Sequence, residues 1–579
     1  MSSTRLPSQW RAIWIFTIAA SLVSVPGCSH IIKRGQSPET EAMEFAAEID
    51  EATYIGDIAT PTGMGTQKVD GIALVTQLDG TGSEPRPSGQ RDYLITEIKT
   101  HNIDDINGLL ESEDNSMVLV MGMIPQGAEK GDRFDINVKC LDRSKSTSLE
   151  GGYLMQARMK PFVSTRQIGV SFGHNSALVR GRVIVDALFQ SETDVTNMVS
   201  GVIPGGGIVT RERTNQLRIK GAQRSIKVAT DIGKVINDRF STRIQGSPEG
   251  VANPINDQII EMLIPEDYRH NIGRYFHVVL NIAFDETPLQ QVNRLESLER
   301  RLHDPKQASL AAIRLEAIGE EAKNVLKRGI RANNETVQFH AAEALAYMGD
   351  NSGLEILRAA ADEKPQYRWH ALTAMASIKD APAEEALVDL FNSNSAEARY
   401  GAFRAIRKSM PESLAIAGEF VGREFMLHTV SSSSRPIIHI SSAELPEVVI
   451  FGGNQRFNER LIYVKAGITV KAMDDSQVLI KQYLPNGEEK KITCSNLISD
   501  VIRQMVKLEA DYSDVIRLLK HARESQSMES QLVINAAPQL SSSYRTVEAD
   551  EDWDEDGDLL VSEKASSEDE TSKSKGIFR

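Results

Sequence analysis

Apolar positions recur with a period of 30 residues over residues 311–410, where rows beginning at Ala311, Ala341, Ala371 and Gly401 read AAIRLEAIGE, AAEALAYMGD, ALTAMASIKD and GAFRAIRKSM. Leu315, Leu345 and Met375 fill one column of this array, and Ile318, Met348 and Ile378 another. The first three rows run on into a second stretch of helical spacing, AKNVLKRGI, GLEILRAAA and AEEALVDLF, so the repeating unit is a helix, a short turn and a helix. Such a pair cannot bury its apolar face alone and stacks on its neighbours, which predicts an α-solenoid over residues 289–422. Gly401 and Lys408 weaken the fourth row, which reads as a cap. A plain helical bundle with accidental spacing is the alternative.

On either side of this region the pattern is richer in Val, Ile and Gly. Strands are predicted at residues 72–78, 116–125 and 133–141, the last with strict apolar alternation in RFDINVKCL. Residues 93–110 form an amphipathic stretch, and residues 227–240 a helix striped by Val228, Ile232, Val235, Ile236 and Phe240. The turn Asp79-Gly80-Thr81-Gly82 is no phosphate loop, since no Lys-Ser/Thr follows and Pro85 and Pro87 forbid a helix there. Beyond the repeats, PIIHIS, PEVVIFGG, ERLIYVKAGITVKA and SQVLIKQYLPNGEEKKITC predict a small antiparallel β segment with a hairpin at Asn486-Gly487. Two helices in NLISDVIRQMVKLEA and YSDVIRLLKHARE and a final strand in QLVIN follow.

Taken in order, IGDIA, GIALVTQLDGTG, VLVMGMIPQGAEKGDRFDINV, SLEGGYLMQARMKP, VIPGGGIVTRER and KVATDIGKVINDRF resemble the flagellar P-ring family. The β segment, two helices and last strand resemble that family's closing region, with residues 508–512 and HARESQS standing in place of the family's turns. The repeats themselves resemble HEAT-like repeats, which the P-ring family lacks. The resemblance implies an α+β multidomain chain. Its mixed α/β P-ring-like body, in two segments at residues 54–288 and 423–535, is interrupted by an all-α HEAT-like solenoid at residues 289–422. It also implies a structural role with no catalytic residues and no small-molecule substrate: subunits joining head to tail into a periplasmic ring around the flagellar rod, with the rod and L-ring proteins as partners. A lipid-anchored scaffold that recruits envelope proteins through the repeats is the alternative.

Residues 1–28 read as an export signal, with Arg5 and Arg11 before a short apolar run and VPGC resembling a lipobox that ends at Cys28. Lipidation of Cys28 would tether the chain to a membrane or, through the outer membrane, near the peptidoglycan. Ordinary cleavage nearby is the other reading, and residues 29–53 form a polar tether. Cys140 and Cys494 are then the candidates for an oxidised pair, because an exported compartment permits disulfides.

The formal net charge is −15, of which residues 548–570 carry −11, so the body is nearly neutral and a nucleic-acid partner is not implied. Residues 536–579 read as a disordered acidic tail. Within it Asp552, Asp554, Asp556, Gly557, Asp558 and Glu563 fit an EF-hand loop for weak Ca²⁺ binding, against the plainer reading of a solvated charge run. No H-E-x-x-H or C-x-x-C occurs, and the pairs His270/His277 and His428/His439 read as structural. Lys327, Arg328 and Arg331 read as a solvated face.

Overall fold

The computed structural model describes residues 52–539, apart from 166–168, 173, 190–194, 245–246, 423, 459–460, 466, 475 and 485–486. Strand β1 (Gln67–Thr76) pairs with β2 (Ser116–Ile124), and β2 with β3 (Arg133–Cys140). The sheet continues through β6 (Ser200–Val209) and β5 (Ala177–Arg182) to β4 (Tyr153–Thr165). β4 then pairs back onto β1, from Thr76↔Tyr153 to Val69↔Pro161, so six antiparallel strands close into a barrel. Closure leaves no free edge among these six. Alternation in β3 buries Phe134, Ile136, Val138 and Cys140.

Outside the barrel, Leu94, Ile98 and Leu110 pack on Leu74 and Met117. The single amphipathic stretch expected at 93–110 is in fact broken: a helix at Gly89–Ile98 and another at Ile106–Glu111 flank Asn102, whose φ of 55° ends the first. A second, four-stranded antiparallel sheet is built from Ala59–Thr62, Asn215–Ile219, Ile259–Met262 and Ala252–Pro254. Helix α1 (Ile226–Arg239) lays Ala229, Ile232 and Ile236 into the same core as that sheet, together with α2 (Ile272–Leu280).

Eight helices follow: α3 (Pro288–Leu302), α4 (Ala308–Ile318), α5 (Lys323–Gly329), α6 (Glu335–Tyr347), α7 (Leu354–Glu363), α8 (Pro365–Ser377), α9 (Ala381–Asp389) and α10 (Ala396–Ser409). Their starts are encoded locally. Thr287 and Gln290 form a reciprocal cap ahead of α3, and Asn334, Asp380 and Ser395 cap α6, α9 and α10. The column residues Leu315, Leu345 and Met375 are fully buried. Ile313, Phe339 and Tyr347 join the core of the four-stranded sheet, so the first helices of the repeats face the body.

The C-terminal segment departs from the antiparallel expectation. Strands β7 (Gly418–Val421), β8 (Phe425–Val430), β9 (Ile437–Ser441) and β10 (Glu447–Phe451) form one sheet with β11 (Gln531–Ile534), in the order β7–β8–β10–β9–β11. β8 and β10 run parallel, as do β9 and β11. The reason is burial: every residue of β9 and β10 is covered on both faces, which suits central strands of a mixed sheet and not a one-sided antiparallel one. A separate antiparallel meander spans Leu461–Lys465, Ile468–Ala472, Gln477–Tyr483 and Glu489–Ser495. Helices α11 (Ile498–Lys507) and α12 (Tyr512–Glu524) complete the segment. Their Val501, Ile502, Leu518 and Leu519 belong to one continuous apolar core with Val138 of the barrel and with Leu149 and Leu188 of its connecting segments. No helix among the described residues is long and apolar enough to cross a membrane.

Candidate assembly surfaces

The irregular stretch Ile203-Pro204-Gly205-Gly206 within β6 lines a cleft of about 590 Å³ between the barrel and the C-terminal sheet. Gly205 has φ 58°, and a Cβ there would stand 2.4 Å from the carbonyl oxygen of Glu444, so only glycine lets the two backbones approach. Asp135 pins the contact: its Oδ1 accepts from the amides of Gly205 at 2.8 Å and Glu444 at 2.7 Å. Burial pushes the Asp135 carboxyl up, against the pull of those two amides.

Three arginines face this cleft. Arg133 donates to the Gly205 carbonyl at 3.0 Å. Arg182 reaches Glu424 at 3.2 Å and Asp511 at 3.7 Å, tying β5 to the C-terminal segment. Arg180 is exposed, and Phe420 beside it keeps 70% of its surface in solvent. Guanidinium groups, an exposed ring and a glycine backbone suit an extended acidic or amide-bearing segment.

A second surface is sealed. Arg274 of α2, buried, donates from Nη2 to Glu316 Oε2 at 2.6 Å and pairs through Nη1 with Glu343 Oε1 at 2.9 Å. Tyr268 donates to the other Glu316 oxygen at 2.7 Å, and Arg239 of α1 donates to the Glu316 carbonyl at 2.7 Å. The Arg274 guanidinium lies 4.6 Å from the centre of the Tyr347 ring, which stacks on Tyr268 at 5.1 Å. Burial pushes the Glu343 carboxyl upward, but Arg274 and hydrogen bonds from His340 and His370 outweigh it and hold the group well below the ordinary range. At Glu316 burial prevails and raises the carboxyl, although Arg274 and Tyr268 both direct donors at it. This network joins α1 and α2 to helices α4 and α6 of the array.

Cys28 and the acidic-tail residues Asp552, Asp554, Asp556, Asp558 and Glu563 lie outside the described residues. Cys140 and Cys494 do not pair: both are free, Cys140 buried in the barrel beside Ser116 Oγ at 3.6 Å and Cys494 on the last meander strand. Among the described residues no group of three or more His, Cys, Asp and Glu could hold a metal ion. His428 Nδ1 contacts the Ile416 carbonyl at 2.8 Å, and His439 stacks on Tyr400 with ring centres 3.4 Å apart. Lys327 pairs with Asp350, and Arg328 with Glu299. Sequence reasoning missed the Arg274 network. Its signal was a carboxylate inside an apolar run, Glu343 in AAEALAYMG, where a glutamate with no partner would be costly.

Residues 54–293 match the family model described as FlgI, flagellar P-ring protein. Among curated relatives, the flagellar P-ring protein of Thermotoga petrophila is 27% identical over 239 residues, 40% of this chain and 66% of its own. That of Campylobacter lari is 25% identical over 39% of this chain and 60% of its own, and that of Geotalea uraniireducens 26% identical over 38% and 57%. The chain therefore spans between 57% and 66% of the length of these relatives. Among solved structures, the complex of CpcE and CpcF of phycocyanin lyase from Nostoc sp. PCC7120 is 21% identical over 21% of this chain and 81% of its own. Its TM-score of 0.18 is too low to support a shared fold.

Proposed function

We propose, from the homology of residues 54–293 to flagellar P-ring proteins, that this chain is a structural subunit of a ring in the bacterial flagellar basal body. The observation that carries the reading is that the matched segment is built as a closed barrel and a four-stranded sheet, which lie in separate apolar cores. In this reading the subunit is exported through residues 1–28 and anchored by a lipid on Cys28. It closes a periplasmic ring around the rod, with the rod and L-ring proteins as neighbours. Residues 423–535 serve as the second part of the ring body, supported by the apolar core they share with the barrel. The helical region serves as a HEAT-like insertion projecting from the ring, and the acidic tail has no fold of its own, with Asp552, Asp554, Asp556, Asp558 and Glu563 as a weak Ca²⁺ loop.

A ring requires head-to-tail contacts between unlike patches of identical subunits. The arginine cleft, with its exposed Phe420, is one such patch. Deleting the gene is expected to abolish swimming and to leave basal bodies with rods but no P-ring. Basal bodies with intact rings in the deletion strain would overturn the reading.

One observation favours a second reading. The family match ends at residue 293, where the helical region begins, and nearly half of the chain lies beyond it. A lipid-anchored scaffold that binds envelope proteins through the array would use that half. Normal motility after deletion of the gene, together with envelope proteins that co-purify only when the array is present, would favour it.

A further inference from the structure

The chain leaves the C-terminal sheet along a defined path. Asn535, with φ 51°, turns out of β11, donates its amide to Ile440 O at 3.0 Å, and accepts from the Ser442 amide at 2.8 Å. The Ala536 amide then donates to His439 Nε2 at 3.0 Å. Two residues on, Pro538 lies against Gly401 of α10. A Cβ on Gly401 would come within 2.6 Å of the Pro538 ring and 2.5 Å of Leu372, so the missing side chain in the fourth repeat row is what makes room for the proline. The glycine that weakens the helical pattern there is thus a seat for Pro538.

Pro538 occupies one side of a crevice whose other walls include His270, Trp369, Thr373, Arg404 and Lys408. The crevice is cationic and only partly compensated. Arg404 pairs with Glu444, and Arg407 with Glu444 and Glu447. Of the neighbours beyond α10, Arg269 pairs with Glu129 and Glu266 with Lys379. No ion pair joins Lys408 to an acid within 4.0 Å among the described residues, and desolvation lowers its ammonium despite the pull of Glu444. His270 is pushed down as well, by burial first and then by Lys408. Positive charge here exceeds its anionic partners.

Beyond Gln539 lies the most acidic stretch of the chain. The nine residues 540–548 reach up to about 30 Å from Gln539, and residues 548–570 carry a net charge of −11. The geometry points to this crevice as the docking site of the chain's own acidic segment, residues 548–570, held by Arg404, Lys408 and His270 beside Trp369. None of the features involved depends on ring membership: the strap from Asn535 to Pro538 delivers the segment, the surplus of cations receives it, and the indole offers a face to the apolar Trp553 between its acids. Docked in this way, the tail covers part of the surface where helices α8 and α10 meet the body.

A zero-length carbodiimide cross-linker, which joins a lysine amine to a carboxylate it touches, tests this on the full-length protein at low ionic strength, with peptides mapped by mass spectrometry. A mixture of isotopically light and heavy chains separates links within one chain from links between two. Lys408 is expected to link to carboxylates of residues 548–570 of its own chain. The yield should fall at least about fivefold at about 1 M salt, where the Debye length shrinks to roughly 3 Å. Trp369→Ala, which leaves every charge in place, should lower the yield about twofold or more. The proposal is overturned if the tail links to exposed lysines such as Lys220 and Lys306 as often as to Lys408. It is equally overturned if the Lys408 links join light chains to heavy ones.

Discussion

The P-ring-like segment shares an apolar core with each of its neighbours, and the two junctions differ in the charges they carry. Against the helical array that core encloses Arg274, buried between Glu316 and Glu343 with the ring of Tyr347 beneath it. Against the C-terminal segment it presents a continuous apolar core, edged by ion pairs such as Arg182–Glu424 whose side chains are about one-third exposed. The first junction is specific and intolerant, because a buried charge left without its partner is far more costly than the pair was stabilising. The second draws its stability from area removed from water, and its charges do little more than align the faces. An array fixed by the first kind of contact is not a loosely tethered appendage; it turns with the body.

The largest predicted effect tests the ionic junction. Arg274→Met leaves two buried carboxylates without their cation and is expected to destabilise the protein by about 3–5 kcal/mol in urea denaturation. Adding Glu316→Gln and Glu343→Gln to that variant should restore part of the loss, since the burden is then a polar group and not a charge. If Arg274→Met alone is neutral, the two junctions do not differ as described.

Acid titration comes next. His439 is held neutral, its imidazole lowered to about 3 by burial and then by Arg404 and Arg407. Its folded value lies below its unfolded value, so its contribution is fully present above about pH 6.5 and is lost as pH falls from there toward 3, at up to about 1.4 kcal/mol per pH unit. His428, also lowered by burial, adds to the same slope. The contribution of Glu343, held well below the ordinary range, is fully present above about pH 4.5 and is lost as pH falls below that, where its unfolded form takes up a proton. His439→Phe, which keeps a ring on Tyr400, should flatten the stability-against-pH curve between pH 6.5 and 4.5 by about one proton.

Smaller effects belong to the cleft. Gly205→Ala forces a side chain into a left-handed conformation and against the Glu444 carbonyl, and should cost about 1–3 kcal/mol. Arg182→Ala should cost no more than about 1 kcal/mol, with the difference vanishing at high salt. A cost for Arg182→Ala as large as that for Arg274→Met would erase the distinction between the junctions.

The helical array was legible because its apolar columns recur at fixed spacing: Leu315, Leu345 and Met375 are fully buried where the columns put them. Strands β2 and β3 were legible for a similar reason, since a covered face imposes a period of two. Closure of the barrel was not, because the pairing of Val69 with Pro161 is a long-range register that no local pattern records. Nor was the mixed character of the C-terminal sheet, since β8 finds β10 across an intervening strand. The stretch at 93–110 misled because Ile95, Ile98 and Ile106 keep helical spacing across a break that Asn102 makes through its backbone alone. Of the candidate assembly surfaces, the cleft left no local signal: Arg133 lies far from Arg180 and Arg182 in the sequence, and only the approach of β6 to Glu444 brings them to one cleft. The cysteine pair was not legible either way: Cys140 and Cys494 are both free, and spacing in the chain does not record whether two cysteines approach.

Electron cryo-microscopy of basal bodies purified from the native cells would show both ring membership and the rigidity of the ionic junction in one map. A ring subunit with a fixed array predicts a closed ring around the rod in which every subunit carries ordered density for helices α3 to α10 at one orientation to the barrel. Basal bodies whose P-ring lacks this chain, or rings in which the helical density averages away while the barrels stay sharp, would contradict it.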